Sequence, residues 1–151
     1  MANSLVKIDI HIIFHIKSTS IQMRQDDLSR IFTYIGGILK ELGSVPIIVG
    51  GITNHIHILT TLPSNITLSD MMRTTKAKSC RWIKTLTPEY AAFAWQDGYG
   101  AFSVCPSILD KVINYIRNQE KHHRVKSFED EYLSLLNAYQ IPYDNNHIFN
   151  D

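Results

Sequence analysis

The sequence predicts an α+β fold of the split βαβ (ferredoxin-like) kind, in which helices pack chiefly on one face of an antiparallel sheet. Residues that alternate between polar and apolar near the N-terminus predict a strand, and apolar residues at helical spacing predict helices between later strands. The resulting element order is β-α-β-β-α-β-α-α. This fold accommodates that order with short connections.

Length and composition indicate one domain. The 151 residues are 44% hydrophobic, so we expect a single domain over residues 1–151. The net charge of +1 provides no global attraction for nucleic acid, so such binding would depend on a local patch. Cys80 and Cys105 match no metal-binding pattern and are expected to be free thiols. Without a signal-peptide core or a membrane-spanning apolar run, we expect a soluble cytoplasmic protein with no membrane partner.

The first two elements follow from periodicity. Residues 7–17 alternate between polar and apolar, which is typical of a half-buried strand. Apolar residues recur at helical spacing over residues 28–42, and Gly43 follows where a helix-terminating glycine is common. Gly36 and Gly37 would each cost this helix roughly 1 kcal/mol relative to alanine, which suggests close packing against the sheet.

Two further strands and a long helix are predicted next. Residues 45–49 and 55–62 are strand-like and flank a glycine-rich hairpin connection at residues 50–54. Thr67 and Asp70 then have the spacing of a capping box, so a helix with one apolar stripe should begin there.

The remaining sequence predicts a fourth strand and two helices. A turn sequence at residues 96–98 separates strand-like segments at 91–95 and 99–104. Ser107 should begin the next helix by the same capping logic, and a final helix should run from about Phe128 to Tyr139.

The predicted third strand carries two histidines one residue apart, His55 and His57. Because alternate side chains of a strand share a face, both imidazoles should point the same way, with Ile56 and Ile58 on the opposite side. This is the arrangement of a two-imidazole metal site. The same pattern is also typical of two buried or half-exposed histidines without a ligand, so a third ligand is needed to favour metal binding.

Tyr115 and Gln119 provide a candidate nucleophile and a candidate third ligand. They are four residues apart in the predicted helix after Ser107, so they share one helix face at the edge of its apolar arc. We expect them at the sheet margin, where the strand with His55 and His57 could meet them. The alternative is an amphipathic edge residue and a surface amide.

The helix after Thr67 is strongly basic and has no acid beyond Asp70. Five cations without counter-charges are compatible with two interpretations, a solvated helix face or a phosphate-binding surface. These cations are Arg73, Lys76, Lys78, Arg81 and Lys84.

These motifs resemble those of a known family. His55-Ile56-His57 is the histidine–hydrophobic–histidine motif, and Tyr115-Ile-Arg-Asn-Gln119-Glu-Lys-His122-His123 resembles the tyrosine helix of the single-tyrosine HUH transposases. Those enzymes move small bacterial insertion sequences as single-stranded DNA. Residues 95–103 resemble a block just before that helix, and the likeness runs from about Lys7 to Phe149 in the family's order and spacing.

The resemblance implies an enzyme that cleaves and rejoins single-stranded DNA at insertion-sequence ends. It implies Tyr115 as the nucleophile and a 5′-phosphotyrosine intermediate with a free 3′-OH. Only about one part in a thousand of a tyrosine hydroxyl is ionised at pH 7, so Tyr115 needs help to attack a phosphodiester. A divalent ion bound by His55, His57 and Gln119 would provide it by polarising the phosphate. Three neutral protein ligands completed by phosphate and water oxygens suit Mg²⁺ or Mn²⁺, although two imidazoles would also hold Zn²⁺ or Ni²⁺.

The resemblance also implies partners. Members of the family are dimers that recognise a subterminal DNA hairpin, often with the tyrosine helix against the partner's histidine pair. We therefore expect a homodimer with shared active sites that acts on single-stranded DNA with hairpin ends, and we expect the basic helix to contact the DNA backbone. Two alternatives are an HUH nuclease-ligase in replication or repeat processing, and a non-catalytic ferredoxin-like module that binds nucleic acid.

Overall fold

The computed structural model of the protein describes residues 4–124, 126–144 and 149. The other residues of the predicted domain lie outside the described part, among them residues 145–148 of the segment that resembles the transposase family. The described residues form four strands and five α-helices. The strands are β1 (Asp9–His15), β2 (Pro46–Ile52), β3 (His55–Thr61) and β4 (Gly100–Val104). The helices are α1 (Leu28–Glu41), α2 (Leu68–Leu86), α3 (Leu109–Arg117), α4 (Gln119–His122) and α5 (Phe128–Ala138).

The four strands form one sheet in the order β2-β3-β1-β4, and every neighbouring pair is antiparallel. This topology confirms the predicted fold class. The interior strands β1 and β3 pair so that Ile13 lies opposite His57 and His15 opposite His55. The prediction of a half-buried first strand was wrong, because β1 is interior and all seven of its residues are buried.

The two long helices, α1 and α2, cover one face of the sheet. Their apolar side chains pack against Ile12, Phe14 and Ile56, which are completely buried. The C-terminal helices lie on the opposite face, where residues of α5 pack on Ile13 and Ile116 of α3 packs on Leu59. The helices therefore cover both faces of the sheet, whereas the sequence predicted them chiefly on one. Side chains of β3 that point to this second face are therefore enclosed by α3, α4 and α5.

Local signals account for some of the helix ends. The Thr67 hydroxyl accepts a hydrogen bond from the Asp70 backbone N–H at 3.1 Å, as the capping pattern predicted. Gly43, with φ of +84°, follows α1 and adopts the left-handed conformation that favours glycine. Ser107 does not begin a helix as expected, because Pro106–Ile108 form a 3₁₀ turn and α3 starts at Leu109 without a side-chain cap.

Three further local predictions were wrong. Residues 91–95 form no strand; only Trp95 makes an isolated bridge to Ile16, and its indole N–H donates to Ser79 of α2 at 3.0 Å. Residues 50–52 belong to β2, so the hairpin turn contains only residues 53 and 54. Gly36 and Gly37 are not in close packing, because a methyl group at either position would meet no atom within 4 Å outside the adjacent residues and backbone of its own helix.

No helix among the described residues is long and apolar enough to cross a membrane.

Candidate active site

Strand β3 places the two imidazoles of His55 and His57 on the sheet face that α3, α4 and α5 cover. Both side chains are completely buried. Their Nε2 atoms point toward the helices: Nε2 of His55 lies 3.0 Å from Oε1 of Gln119, and Nε2 of His57 lies 3.1 Å from Oε1 of Glu131. The shared face expected from strand alternation is present, and it is directed into the protein.

Two glycines allow the helices to approach the sheet closely. A Cβ atom at Gly50, which lies opposite His57 in the β2–β3 pair, would be 2.8 Å from Cγ2 of Ile116 in α3. A Cβ atom at Gly100 would be 2.8 Å from the hydroxyl of Tyr132 in α5. Both separations are shorter than side chains tolerate, so glycine at these positions lets α3 and α5 bring their polar groups to the histidines.

Tyr115 and Gln119 both reach the histidine pair, although they lie in different helices. Asn118 interrupts the helix between them, so Tyr115 is near the end of α3 and Gln119 begins α4. The rings of Tyr115 and His57 are 5.8 Å apart, edge to face, and Gln119 is 1% exposed. The chain therefore brings the four residues singled out from its sequence into one cluster.

A fifth residue, Glu131 of α5, lies at the centre of this cluster and was not anticipated. Its Oε1 atom lies 3.1 Å from Nε2 of His57 and 3.5 Å from Nε2 of His55. Its Oε2 atom accepts hydrogen bonds from the Tyr115 hydroxyl and, at 3.1 Å, from the Gln119 amide. A signal was present in the sequence, because Glu131 lies at helical spacing from Phe128 and is thus an acid on an apolar stripe.

The other ring nitrogen of each histidine also has a partner. Nδ1 of His55 lies 2.7 Å from Oδ1 of Asn54, and Nδ1 of His57 lies 2.8 Å from Nε2 of His11 in β1. His123 completes the surroundings, with its Nε2 atom 3.1 Å from Oε1 of Gln119 and 3.2 Å from Oε1 of Glu131. Sequence reasoning assigned no role to Asn54, His11 or His123.

Burial and the Glu131 charge control ionisation in the cluster. Burial lowers the pKa of His57 to about 4, so its imidazole is neutral at pH 7. Burial also raises the pKa of Tyr115, and the neighbouring Glu131 carboxylate raises it further. Burial opposes ionisation of Glu131, but hydrogen bonds from His55, His57 and Tyr115 outweigh it and hold the pKa of Glu131 well below its ordinary value.

The cluster has a donor set suited to a divalent cation. One ligand atom from each of His55, His57 and Glu131 lies within 4.8 Å of the other two, and all three residues are buried. The amide oxygen of Gln119 lies against the same atoms. The neutral His57 imidazole and the ionised Glu131 carboxylate are in the protonation states that metal binding requires, so the donor set fits a metal ion.

The five cations of α2 lie elsewhere. Helix α2 packs on the sheet face opposite His55 and His57, so the structure does not bring these cations to the cluster. The expectation that all five lack counter-charges was wrong. Arg73 lies 2.7 Å from Asp70, and Lys78 lies 3.6 Å from Glu41 of α1. The Lys76 ammonium donates to the Gly98 carbonyl at 2.9 Å.

Comparison with known proteins gives one family and two structural neighbours. A family model described as "Transposase IS200 like" matches residues 4–119. No curated protein sequence matches the chain. The chain resembles the crystal structure of a Deinococcus radiodurans R1 protein described as a proposed transposase, with a TM-score of 0.61, 16% identity and coverage of 79% of this chain and 95% of that one. It also resembles a REP-associated tyrosine transposase bound to a REP hairpin, with a TM-score of 0.57, 13% identity and coverage of 82% and 73% respectively.

Proposed function

Because the chain belongs to the family of IS200-like transposases, we propose that it is a metal-dependent transposase that cleaves and rejoins single-stranded DNA through Tyr115. The observation that carries this proposal is the position of the Tyr115 hydroxyl, which donates to a carboxylate that also contacts both histidines. A nucleophile and a cation site in contact are what tyrosine transesterification requires. We further propose that residues 1–151 form one domain.

His55, His57 and Glu131 would hold the cation, with the Gln119 amide oxygen as a fourth donor. Mg²⁺ or Mn²⁺ suits these oxygen donors. Such an ion would polarise the scissile phosphate and stabilise the negative charge that develops on it. It would also offset the negative charge of Glu131, which opposes ionisation of Tyr115.

The reaction exchanges one phosphate ester for another. The Tyr115 hydroxyl gives up its proton as its oxygen attacks the phosphorus atom and forms a 5′-phosphotyrosine bond. The bond to the 3′ oxygen breaks, and that oxygen takes up a proton, so the departing strand ends in a free 3′-OH. Because no ester bond is hydrolysed, the 3′-OH of a second strand can reverse the step and join the DNA without ATP. Gln119 holds the Glu131 oxygen that faces the tyrosine, and thereby positions the nucleophile and the carboxylate together.

For DNA binding we retain two proposals from the sequence: recognition of subterminal DNA hairpins, and contact between α2 and the DNA backbone. The hairpin-bound neighbour is compatible with the first, although at 13% identity it supports the fold alone. An HUH nuclease-ligase used in replication or repeat processing would share the same catalytic residues. The presence or absence of short subterminal palindromes around the gene would separate that alternative from a mobile transposase.

The test of the proposed function is covalent attachment to DNA. A 3′-labelled single strand taken from the DNA that flanks the gene should become linked to the wild-type protein and migrate with it in a denaturing gel. Tyr115→Phe should abolish this adduct while hairpin binding survives, because only one hydroxyl is lost. Tyr99→Phe serves as the matched control and should keep the adduct. Adduct formation by Tyr115→Phe at wild-type yield would contradict the proposal.

A further inference from the structure

His57 is held at its second ring nitrogen by a buried histidine of the neighbouring strand, His11. Nε2 of His11 lies 2.8 Å from Nδ1 of His57, and the two rings are stacked with their centroids 5.0 Å apart. Only 4% of His11 is exposed. Burying a polar ring costs free energy unless the ring is hydrogen-bonded, and this contact offsets that cost for both imidazoles.

The contact has consequences for where the proton of His57 lies. A neutral imidazole carries one N–H, so in a bond between two neutral rings one nitrogen donates and the other accepts. A nitrogen that binds a metal ion carries no proton. If Nε2 of His57 is the metal-binding atom, the His57 proton lies on Nδ1 and Nε2 of His11 accepts it.

His55 has an equivalent arrangement with a different partner. Its Nδ1 atom lies 2.7 Å from the side-chain oxygen of Asn54, and an amide oxygen only accepts hydrogen bonds. With a metal ion on Nε2, the His55 proton lies on Nδ1 and the Asn54 oxygen accepts it, while Nε2 faces Gln119 and Glu131. Each of the two histidines thus has its own partner that leaves Nε2 available.

We propose that His11 is a positioning residue of the metal site, which accepts the Nδ1 proton of His57 and directs the Nε2 lone pair toward the cation. This inference rests on the proposed metal-dependent function. Such outer partners set the orientation and tautomer of ligating histidines, and their loss typically lowers metal affinity about 10- to 100-fold.

Mn²⁺ titration of the purified chain by calorimetry tests the proposal without DNA. His11→Phe keeps a ring but removes the acceptor, and should weaken Mn²⁺ binding about 10- to 100-fold. His11→Gln places an amide oxygen near the position of Nε2 and should restore most of the affinity. His15→Phe is the matched control in the same strand and should bind Mn²⁺ like the wild type, because Nδ1 of His15 lies 2.6 Å from the Ile16 carbonyl oxygen.

Nitrogen NMR of the Mg²⁺-loaded wild-type protein supplies a readout that a purely structural role would not affect. His57 should carry its proton on Nδ1. Equal Mn²⁺ affinity in wild type and His11→Phe would overturn the proposal, as would a His57 proton on Nε2 in the loaded protein. If His11→Phe does not fold, the NMR result and the affinity of His11→Gln decide. A wild-type protein that binds no Mn²⁺ would overturn the metal site itself, which is a separate outcome.

Discussion

At the scale of single residues, Glu131 changes the chemistry expected of the site. The predicted ligands His55, His57 and Gln119 are all neutral, whereas Glu131 contributes a negative charge in a position that is 2% exposed. Hard divalent cations prefer oxygen ligands and gain affinity with the number of charged ligands. Burial raises the pKa of Tyr115 and the Glu131 charge raises it further, so both oppose ionisation of the Tyr115 hydroxyl.

The first prediction at this scale compares the two oxygen donors. Glu131→Gln should lower Mn²⁺ affinity about tenfold or more, because it removes the charge while preserving shape. Gln119→Ala should lower it less, since water can replace a neutral amide. Calorimetric titration measures both, and thermal unfolding in EDTA checks that each variant is folded. A larger loss for Gln119→Ala would instead make the amide the principal third ligand.

At the scale of elements, α2 and the helices around Tyr115 occupy opposite faces of the sheet. The pairs Arg73 with Asp70 and Lys78 with Glu41 neutralise part of α2, and Lys76 is half-buried against Gly98. Within the described part of the chain, no carboxylate lies within 4.0 Å of the ammonium or guanidinium groups of Arg81 and Lys84. These two cations are therefore the most informative for testing DNA binding by α2.

If α2 contacts the DNA backbone, Arg81→Glu combined with Lys84→Glu should weaken hairpin binding and reduce its dependence on salt, because phosphate contacts release counterions. Fluorescence anisotropy at several salt concentrations measures both quantities. Lys40→Glu combined with Lys111→Glu changes the net charge equally on other helices and controls for global charge. Identical behaviour of the two double variants would favour the interpretation of α2 as a solvated face.

At the scale of the whole molecule, one chain contains a complete set of candidate catalytic groups. Tyr115 and Gln119 contact His57, His55 and Glu131 of the same chain. The homodimer with shared sites stays a prediction. Exchange of α3 and α4 between two chains would replace Tyr115 and Gln119 together, while the histidines and Glu131 would remain.

A complementation experiment distinguishes the two assemblies. Chains with His55→Ala and chains with Tyr115→Phe, each inactive alone, are co-expressed with different tags and purified as the mixed dimer. Shared sites would restore one intact set of groups per dimer and therefore DNA cleavage. A mixed dimer that binds DNA without cleaving it would show that each site is contained within one chain. A dimer of wild type and Tyr115→Phe is the positive control.

Much of the architecture could be predicted because its signals are local. The periodic patterns locate β1, α1, α2 and α5 to within a few residues, and the comparison with the family confirms the resemblance read from the motifs. The prediction of a strand at residues 91–95 failed because Phe93 and Trp95 are buried in the core that includes α2, and apolar residues give the same pattern wherever they are buried.

The sequence by itself determined which neighbouring side chains share a face, since the repeat of a strand or helix depends on the backbone alone. His55 and His57 follow from that rule. Only the tertiary structure decided that Glu131, which is 74 positions from His57 along the chain, meets it, and that His11 lies behind it. Such contacts depend on how closely the helices approach the sheet. Gly50 and Gly100 leave room for α3 and α5 to do so, but the position of the two helices is set by the tertiary structure. No local pattern encodes that distance, because it is set by the packing of residues far apart in the chain.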